Sequence, residues 1–205
     1  MGKVTVEMSM SLDGFITGPN EGLEHPLGEG GDRLHEWVYG LASWRERHGL
    51  EGGTSDRDAE VLEEAFASTG AVLMGRGMFD LGDPQWGQDP PFHVPVFVVT
   101  HEARETLPRQ GGTSYTFVTG GVEQALEQAR AAAGDGGISV AGGANIVQQC
   151  LRAGLLDEIQ LHVVPLLLGD GVRLFDGLDP TPRELEITRV IDSPGVTHVR
   201  YRVGK

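Results

Sequence analysis

Two stretches of the chain combine residue types that hold anions. The first is Ile138-Ser139-Val140-Ala141-Gly142-Gly143-Ala144-Asn145-Ile146-Val147, an apolar strand, a glycine pair and then a helix. The helix is marked by Ile146, Val147, Cys150 and Leu151, which recur at helical spacing. Glycines at a strand-to-helix junction let the backbone approach a ligand closely. The free N–H groups and positive dipole end of the helix then favour a phosphate. A plain tight turn is the other reading of such a pair. The second stretch, Val72-Leu73-Met74-Gly75-Arg76, has the same logic: a buried strand delivers a glycine and then a guanidinium fork for phosphate oxygens. Two such units on one sheet point to a dinucleotide. Neither matches G-x-G-x-x-G, and no G-x-x-x-x-G-K-[ST] occurs, so a standard Rossmann or P-loop site is not expected.

The elements that must position these units follow from periodicity and breakers. Strands are expected over 4–10, 71–74, 96–100, 116–118, 138–141 and 158–165, with a second short extended piece after the turn at Ser11–Ile16. Helices are expected from Asp32, with Leu34, Trp37, Val38 and Leu41 as its stripe, and over 56–68, 123–133 and 145–153. Residues 17–31, the polar stretch 45–55 and the four-proline stretch 83–95 read as loops. Residues 184–191 and 197–203 read as a hairpin around Ser193-Pro194-Gly195. Alternating strands and helices predict an α/β fold with a mainly parallel sheet, and the antiparallel end closes it. With no linker or repeat in 205 residues, one domain over 1–205 is expected.

The formal net charge of −14 disfavours nucleic acid and anionic membranes as partners. No signal peptide or membrane-length apolar run is evident, which reads as a cytoplasmic protein. The single cysteine, Cys150, excludes an internal disulfide and a cysteine metal cluster, and no metal site is expected. Its place on the apolar helix face, with no base nearby in sequence, reads as a structural thiol rather than a nucleophile.

Four segments occur in order: Ser11-Leu12-Asp13-Gly14-Phe15-Ile16, Leu73-Met74-Gly75-Arg76, Val140-Ala141-Gly142-Gly143-Ala144, and the long run from Gly154-Leu155-Leu156-Asp157-Glu158 through Pro165 to Gly169-Asp170-Gly171. Together they resemble the dihydrofolate reductase-like superfamily, most nearly the reductase domain of the bifunctional riboflavin-biosynthesis deaminase-reductase and its stand-alone relatives. The likeness covers Lys3 to Val203. The zinc-deaminase H-x-E and P-C-x-x-C motifs are missing from the sequence.

The resemblance implies a mostly parallel sheet of about eight strands flanked by helices, an NADPH cofactor and a homodimer. For the dimer, the apolar run 163–168 and the hairpin near Val190 are the candidate surfaces. It also implies site roles. Gly142 and Gly143 would hold the pyrophosphate, with their peptide in the cis form, and Ala141, Ala144, Asn145 and Ile146 would lie beside them. Gly75 and Arg76 would meet the pyrophosphate from its other side or the adenosine phosphate. Thr100, His101 and Arg104 would face the 2′-phosphate, beside Glu102, and Thr119, Gly120 and Gly121 would flank adenine. Ser9, Ile16 and Thr17 would approach the nicotinamide.

Reduction by hydride also needs a proton source. Folate reductases carry a carboxylate on the first helix; aligned on Trp37, that position here is Leu34. Asp32 is then a candidate catalytic residue or simply an N-cap, and His162 a candidate to orient or protonate a substrate or a core histidine. Asp13, in a Leu-Asp-Gly turn, reads as structural. Trp37, Trp86 and Phe92 could wall a flat substrate. The riboflavin-type substrate carries a phosphate, yet the only lysines are Lys3 and Lys205, so Arg33, Arg45, Arg47 and Arg173 are the cations available to it. The function expected is NADPH-dependent reduction of a small heterocyclic or conjugated substrate. The alternatives are the riboflavin-pathway pyrimidinone reductase, a diverged dihydrofolate reductase, and a non-catalytic nucleotide-binding protein.

Overall fold

Period-2 burial builds β1 (Val4–Ser11), where Val4 and Val6 are fully buried and Thr5 and Glu7 face the other way. The computed structural model describes residues 2–204. The Leu-Asp-Gly turn follows, then β2 (Phe15–Thr17). A 3-10 helix (Gly31–His35) leads into three α-helices, α1 (Glu36–Tyr39), α2 (Ala42–Arg47) and α3 (Arg57–Ser68). Asp56 caps α3 by accepting from the N–H groups of Asp58 and Ala59. Next come β3 (Thr69–Gly75), α4 (Arg76–Trp86), β4 (Pro95–Val99), β5 (Leu107–Pro108), β6 (Ser114–Val118) and α5 (Gly121–Ala132). The chain ends with β7 (Gly137–Gly142), α6 (Ala144–Arg152), β8 (Glu158–Val164), β9 (Val172–Arg173), β10 (Leu185–Ser193) and β11 (Val196–Val203).

Nine strands form one sheet in the order β10-β11-β8-β1-β7-β3-β4-β6-β5. The run from β8 to β6 is parallel, and β11, β10 and β5 are antiparallel to their neighbours. The expected α/β sheet with an antiparallel C-terminal hairpin is therefore present, with nine strands where about eight were expected. Helices cover both faces, which is why β3 buries Ala71, Val72, Leu73 and Met74 in an unbroken run. Leu73 joins Leu126 of α5 and Val147 and Leu151 of α6 on one face; Val72 and Met74 join Phe79 of α4 on the other. Each fully buried Leu or Val of this kind contributes about 1.5–3 kcal/mol.

The Leu-Asp-Glu run works as a clasp: the Asp157 carboxylate accepts the Val4 N–H at 2.9 Å, and the Val4 carbonyl accepts the Asp157 N–H at 2.9 Å. That bond pair sets the parallel register of β1 and β8. Asp13 has the structural role expected. It accepts from the Ser11 hydroxyl (2.6 Å) and from the Leu168 and Gly169 N–H groups (3.1 and 2.8 Å), and these donors lower its pKa, Ser11 foremost. Beside it β2 pairs with β9, and Gly171 (φ +130°) passes so close that a Cβ there would lie 2.0 Å from the Thr17 carbonyl oxygen.

Three local expectations are corrected. The segment from Asp32 is a 3-10 turn followed by one turn of α-helix. The stretch read as a loop from Arg45 carries the end of α2, whose Trp44 stacks on His48 at 3.8 Å. Helix α4 runs to Trp86 although Pro84 lies inside it, because Trp86 packs onto Gly82, where a Cβ would meet the indole at 2.3 Å. Cys150 is fully buried, and burial pushes its thiol up to about 12, so it stays protonated.

Candidate active site

A cavity of about 1100 Å³ opens at the C-terminal ends of the parallel strands, where open α/β sheets hold ligands. Three helices begin on it. Helices α4, α5 and α6 start directly after β3, β6 and β7, and their N-caps Gly75, Gly120 and Gly143 make no side-chain capping bond. Each helix start therefore keeps unsatisfied N–H groups and its positive dipole end. Gly75, Arg76, Thr119, Gly121, Gly143 and Ala144 line the cavity there. A Cβ at Gly143 would meet nothing within 4 Å, so that backbone is open. Gly142 has φ +128° and backs onto Met8 and Met78, and the Gly142–Gly143 peptide is cis.

Arg76 is tied down. Its Nε donates to both Asp80 carboxylate oxygens at 2.7 Å, and its Nη1 donates to Glu102 at 2.9 Å. These carboxylates raise the Arg76 pKa, Asp80 foremost, and Arg76 in turn lowers that of Glu102. Thr100 receives the Glu102 N–H on its hydroxyl, and Thr100, His101 and Glu102 all line the cavity. Arg104 reaches Glu102 at 3.4 Å but does not line the cavity.

The other half of the cavity lies over β1. Segment 16–48 forms it, with Glu21, Leu27, Asp32, His35, Tyr39 and Trp44 among the lining, and Gln85 and Trp86 of α4 complete it. Gln85 donates to the Leu23 carbonyl at 3.3 Å and so joins α4 to this segment. Burial lowers the His35 pKa, with His162 acting the same way and the Gly31 carbonyl and Asp32 opposing. Burial, then Asp32 and Glu36, raise that of Tyr39.

Residues 2–197 match the family of RibD C-terminal domains. The chain belongs to that family. A Shewanella sp. PV-4 protein named for riboflavin biosynthesis superposes with a TM-score of 0.71 at 20% identity, covering 99% of both chains. The Thermotoga maritima diaminohydroxyphosphoribosylaminopyrimidine deaminase/5-amino-6-(5-phosphoribosylamino)uracil reductase gives 0.65 at 18%, covering 99% of this chain and 57% of that one. An Enterococcus faecalis dihydrofolate reductase complexed with NADP(H) gives 0.56 at 11%, covering 100% and 98%. These identities speak to a shared fold. No curated protein matches the chain.

Within this RibD C-terminal fold, fifteen of the residues expected at the site line one cavity: Ile16, Thr17, Asp32, Gly75, Arg76, Trp86, Thr100, His101, Thr119, Gly121, Ala141, Gly143, Ala144, Asn145 and Ile146. Ser9, Trp37, Phe92, Arg104, Gly120, Gly142 and His162 do not. Ser9 is buried and accepts from the Trp37 indole N–H at 3.0 Å. Trp37 packs on His162 and His198, and Phe92 packs edge-on against Trp86. His162 is buried between His198 (Nδ1 to Nδ1, 2.6 Å) and Glu7 (3.2 Å). Asp32 makes no capping bond, since Gly30 precedes the 3-10 helix as its N-cap. His35, Tyr39, Trp44 and Glu21 went unread in the sequence because they lie in segments classed as loop or as core stripe. The spacing of Trp44 and His48, four residues apart, was the signal available for α2.

Proposed function

We propose that this chain is an NADPH-dependent reductase of a small heterocyclic or conjugated substrate, working as a homodimer. The observation that carries the reading is the convergence of three uncapped helix N-termini on one cavity. One such terminus suits one phosphate; three along a strand-end crevice suit an extended dinucleotide. At about 1100 Å³ the cavity exceeds the usual range for one small ligand, roughly 300–1000 Å³. A second ligand therefore has room beside the first. Family membership and the reductases among the relatives support the same reading.

When bound, the nicotinamide supplies the hydride. The chain's own residues do the rest. The open backbone at Gly143 and the starts of α4 and α6 bind the pyrophosphate, and Thr119 and Gly121 border the adenine. Ile16 and Thr17, which line the cavity, would lie toward the nicotinamide and exclude water from that face. Thr100, Arg76 and Glu102 form the corner for the adenosine ribose. The proton that the reduced substrate takes up comes from water, relayed at the Asp32 carboxylate on the wall of the half over β1. Exposed Ile187 and Val190 on the edge strand β10 support the dimer surface.

The test is titration of the purified protein with NADPH and NADH, read by energy transfer from tryptophan to nicotinamide. Micromolar binding with NADPH preferred is expected, weakened at least tenfold in Gly143→Ala and in Arg76→Ala. Binding of neither nucleotide would remove the reductase reading.

A further inference from the structure

The two halves of the cavity differ in charge. Among the described residues that line it, Arg76 is the sole arginine or lysine. It belongs to the half over β3 and is held by Asp80 and Glu102. The half over β1 has two carboxylates, Glu21 and Asp32, and three aromatic side chains, Tyr39, Trp44 and Trp86.

The arginines that might have served this half are committed elsewhere. Arg45 donates to the Glu51 carbonyl at 3.0 Å. Arg47 donates to the Pro91 and Phe92 carbonyls at 2.9 and 3.2 Å and lies over the Phe66 ring. Arg173 donates to the Asp13 carbonyl at 2.6 Å and covers the Phe15 ring. Arg33 is exposed on the 3-10 helix and does not line the cavity. No helix of eight residues or more starts in this half either. A phosphate here would lose its water, meet two carboxylates, and find neither a guanidinium nor a long helix N-terminus.

The same walls suit a different ligand. Tyr39 and Trp44 lie edge to face at 5.1 Å, and together with Trp86 they offer aromatic surface to a flat ring. His35 lines this half with an imidazole whose Nδ1 is buried and lacks a hydrogen-bond partner, and its burial favours the neutral form. The Gly31 carbonyl takes the N–H of this imidazole, which leaves the other nitrogen to accept from an N–H at the edge of a heterocycle. Carboxylates beside aromatic faces tolerate a cationic ring and repel an anion.

We propose that the half over β1 takes a flat heteroaromatic compound, neutral or cationic and without a phosphate group. This rests on the reductase reading, which assigns the half over β3 to the nucleotide. It separates this chain's substrate from the phosphoribosyl compound for which the Thermotoga relative is named.

The experiment is equilibrium dialysis of the NADPH-saturated protein against matched pairs. One pair is 5-amino-6-ribosylaminouracil and its 5′-phosphate; the other is riboflavin and its 5′-phosphate. The unphosphorylated member of a pair should bind at least tenfold more tightly, and added salt should shrink the gap. Gln85→Arg, which adds a cation at the edge of this half, should shrink it to about threefold, and Asp32→Asn should shrink it from the other side. Equal or tighter binding of a phosphorylated member overturns the proposal, and so does failure of both pairs to bind. If NADPH itself does not bind, the reductase reading fails separately. Dialysis of the free protein then decides the preference of this half by the same criterion.

Discussion

Glu102 is the residue whose charge bears most directly on cofactor choice. It stands at the end of β4, bonded to Arg76 and close to Arg104, so two cations that could meet a 2′-phosphate already share a carboxylate. Glu102→Gln removes the competitor and frees Arg76 Nη1. The affinity ratio of NADPH over NADH is then expected to rise roughly three- to tenfold, measured by the same titration. An unchanged ratio would place the 2′-phosphate away from this corner. At this scale the half of the cavity over β3 was legible in the sequence, because Gly75-Arg76 and Gly142-Gly143 combine unusual residue types with strand-to-helix junctions. The pairing of Arg76 was not legible. Asp80 stands four residues along the same helix and could have been read, but Glu102 approaches only through the parallel register of β3 and β4.

At the scale of elements, β8, β11 and α3 meet at a buried pair of imidazoles. His162 and His198 face each other through Nδ1 at 2.6 Å, so one Nδ1 donates and the other accepts. Asp58 of α3 stands 3.0 Å from His198 Nε2, Glu7 of β1 stands 3.2 Å from His162 Nε2, and the Trp37 indole covers both rings. Burial lowers the His198 pKa below its ordinary 6.5, with the Asp58 contact opposing. A histidine held low in the folded state binds its proton more readily once unfolded. Stability is then complete above about 6.5 and falls as the pH drops below that value. His35 acts with the same sign. The melting temperature is expected to fall between pH 7.5 and 5.5, and His198→Gln should flatten that slope; an unaltered slope would remove His198 as its source. The strands and the long helices were legible because their apolar periodicity is strong. The entry to the 3-10 turn was not, since Leu34, Trp37, Val38 and Leu41 fit a helical stripe while tertiary packing puts Leu34 in the 3-10 helix, Trp37 and Val38 in α1 and Leu41 at the N-cap of α2. Proline chemistry marked a stop at Asp83, and the contact of Trp86 with Gly82 overrode it.

For the whole molecule, the parallel order and the closing hairpin followed from alternation of strands and helices, whereas the second half of the cavity did not. Segment 16–48 holds only short elements, and its entry is set by partners about 150 residues away: Asp13, just before it, binds Leu168, Gly169 and Arg173, and Thr17 pairs with Val172. Local sequence cannot announce contacts of that span. The outermost strand, β10, leaves Ile187 and Val190 at 61% and 57% exposure, an uncovered apolar edge of the kind that pairs with another chain. Light scattering on a sizing column should give twice the chain mass of 22.0 kDa. Ile187→Lys with Val190→Glu should return the single mass, and a single mass for the unaltered protein would refute the dimer. Cys150 has a consequence for handling. Its buried thiol, held up to about 12, is unavailable to maleimides and to peroxide. A new surface cysteine would thus be the one reactive thiol among the described residues, so a dye placed on segment 16–48 could follow motion of that half of the cavity without background labelling.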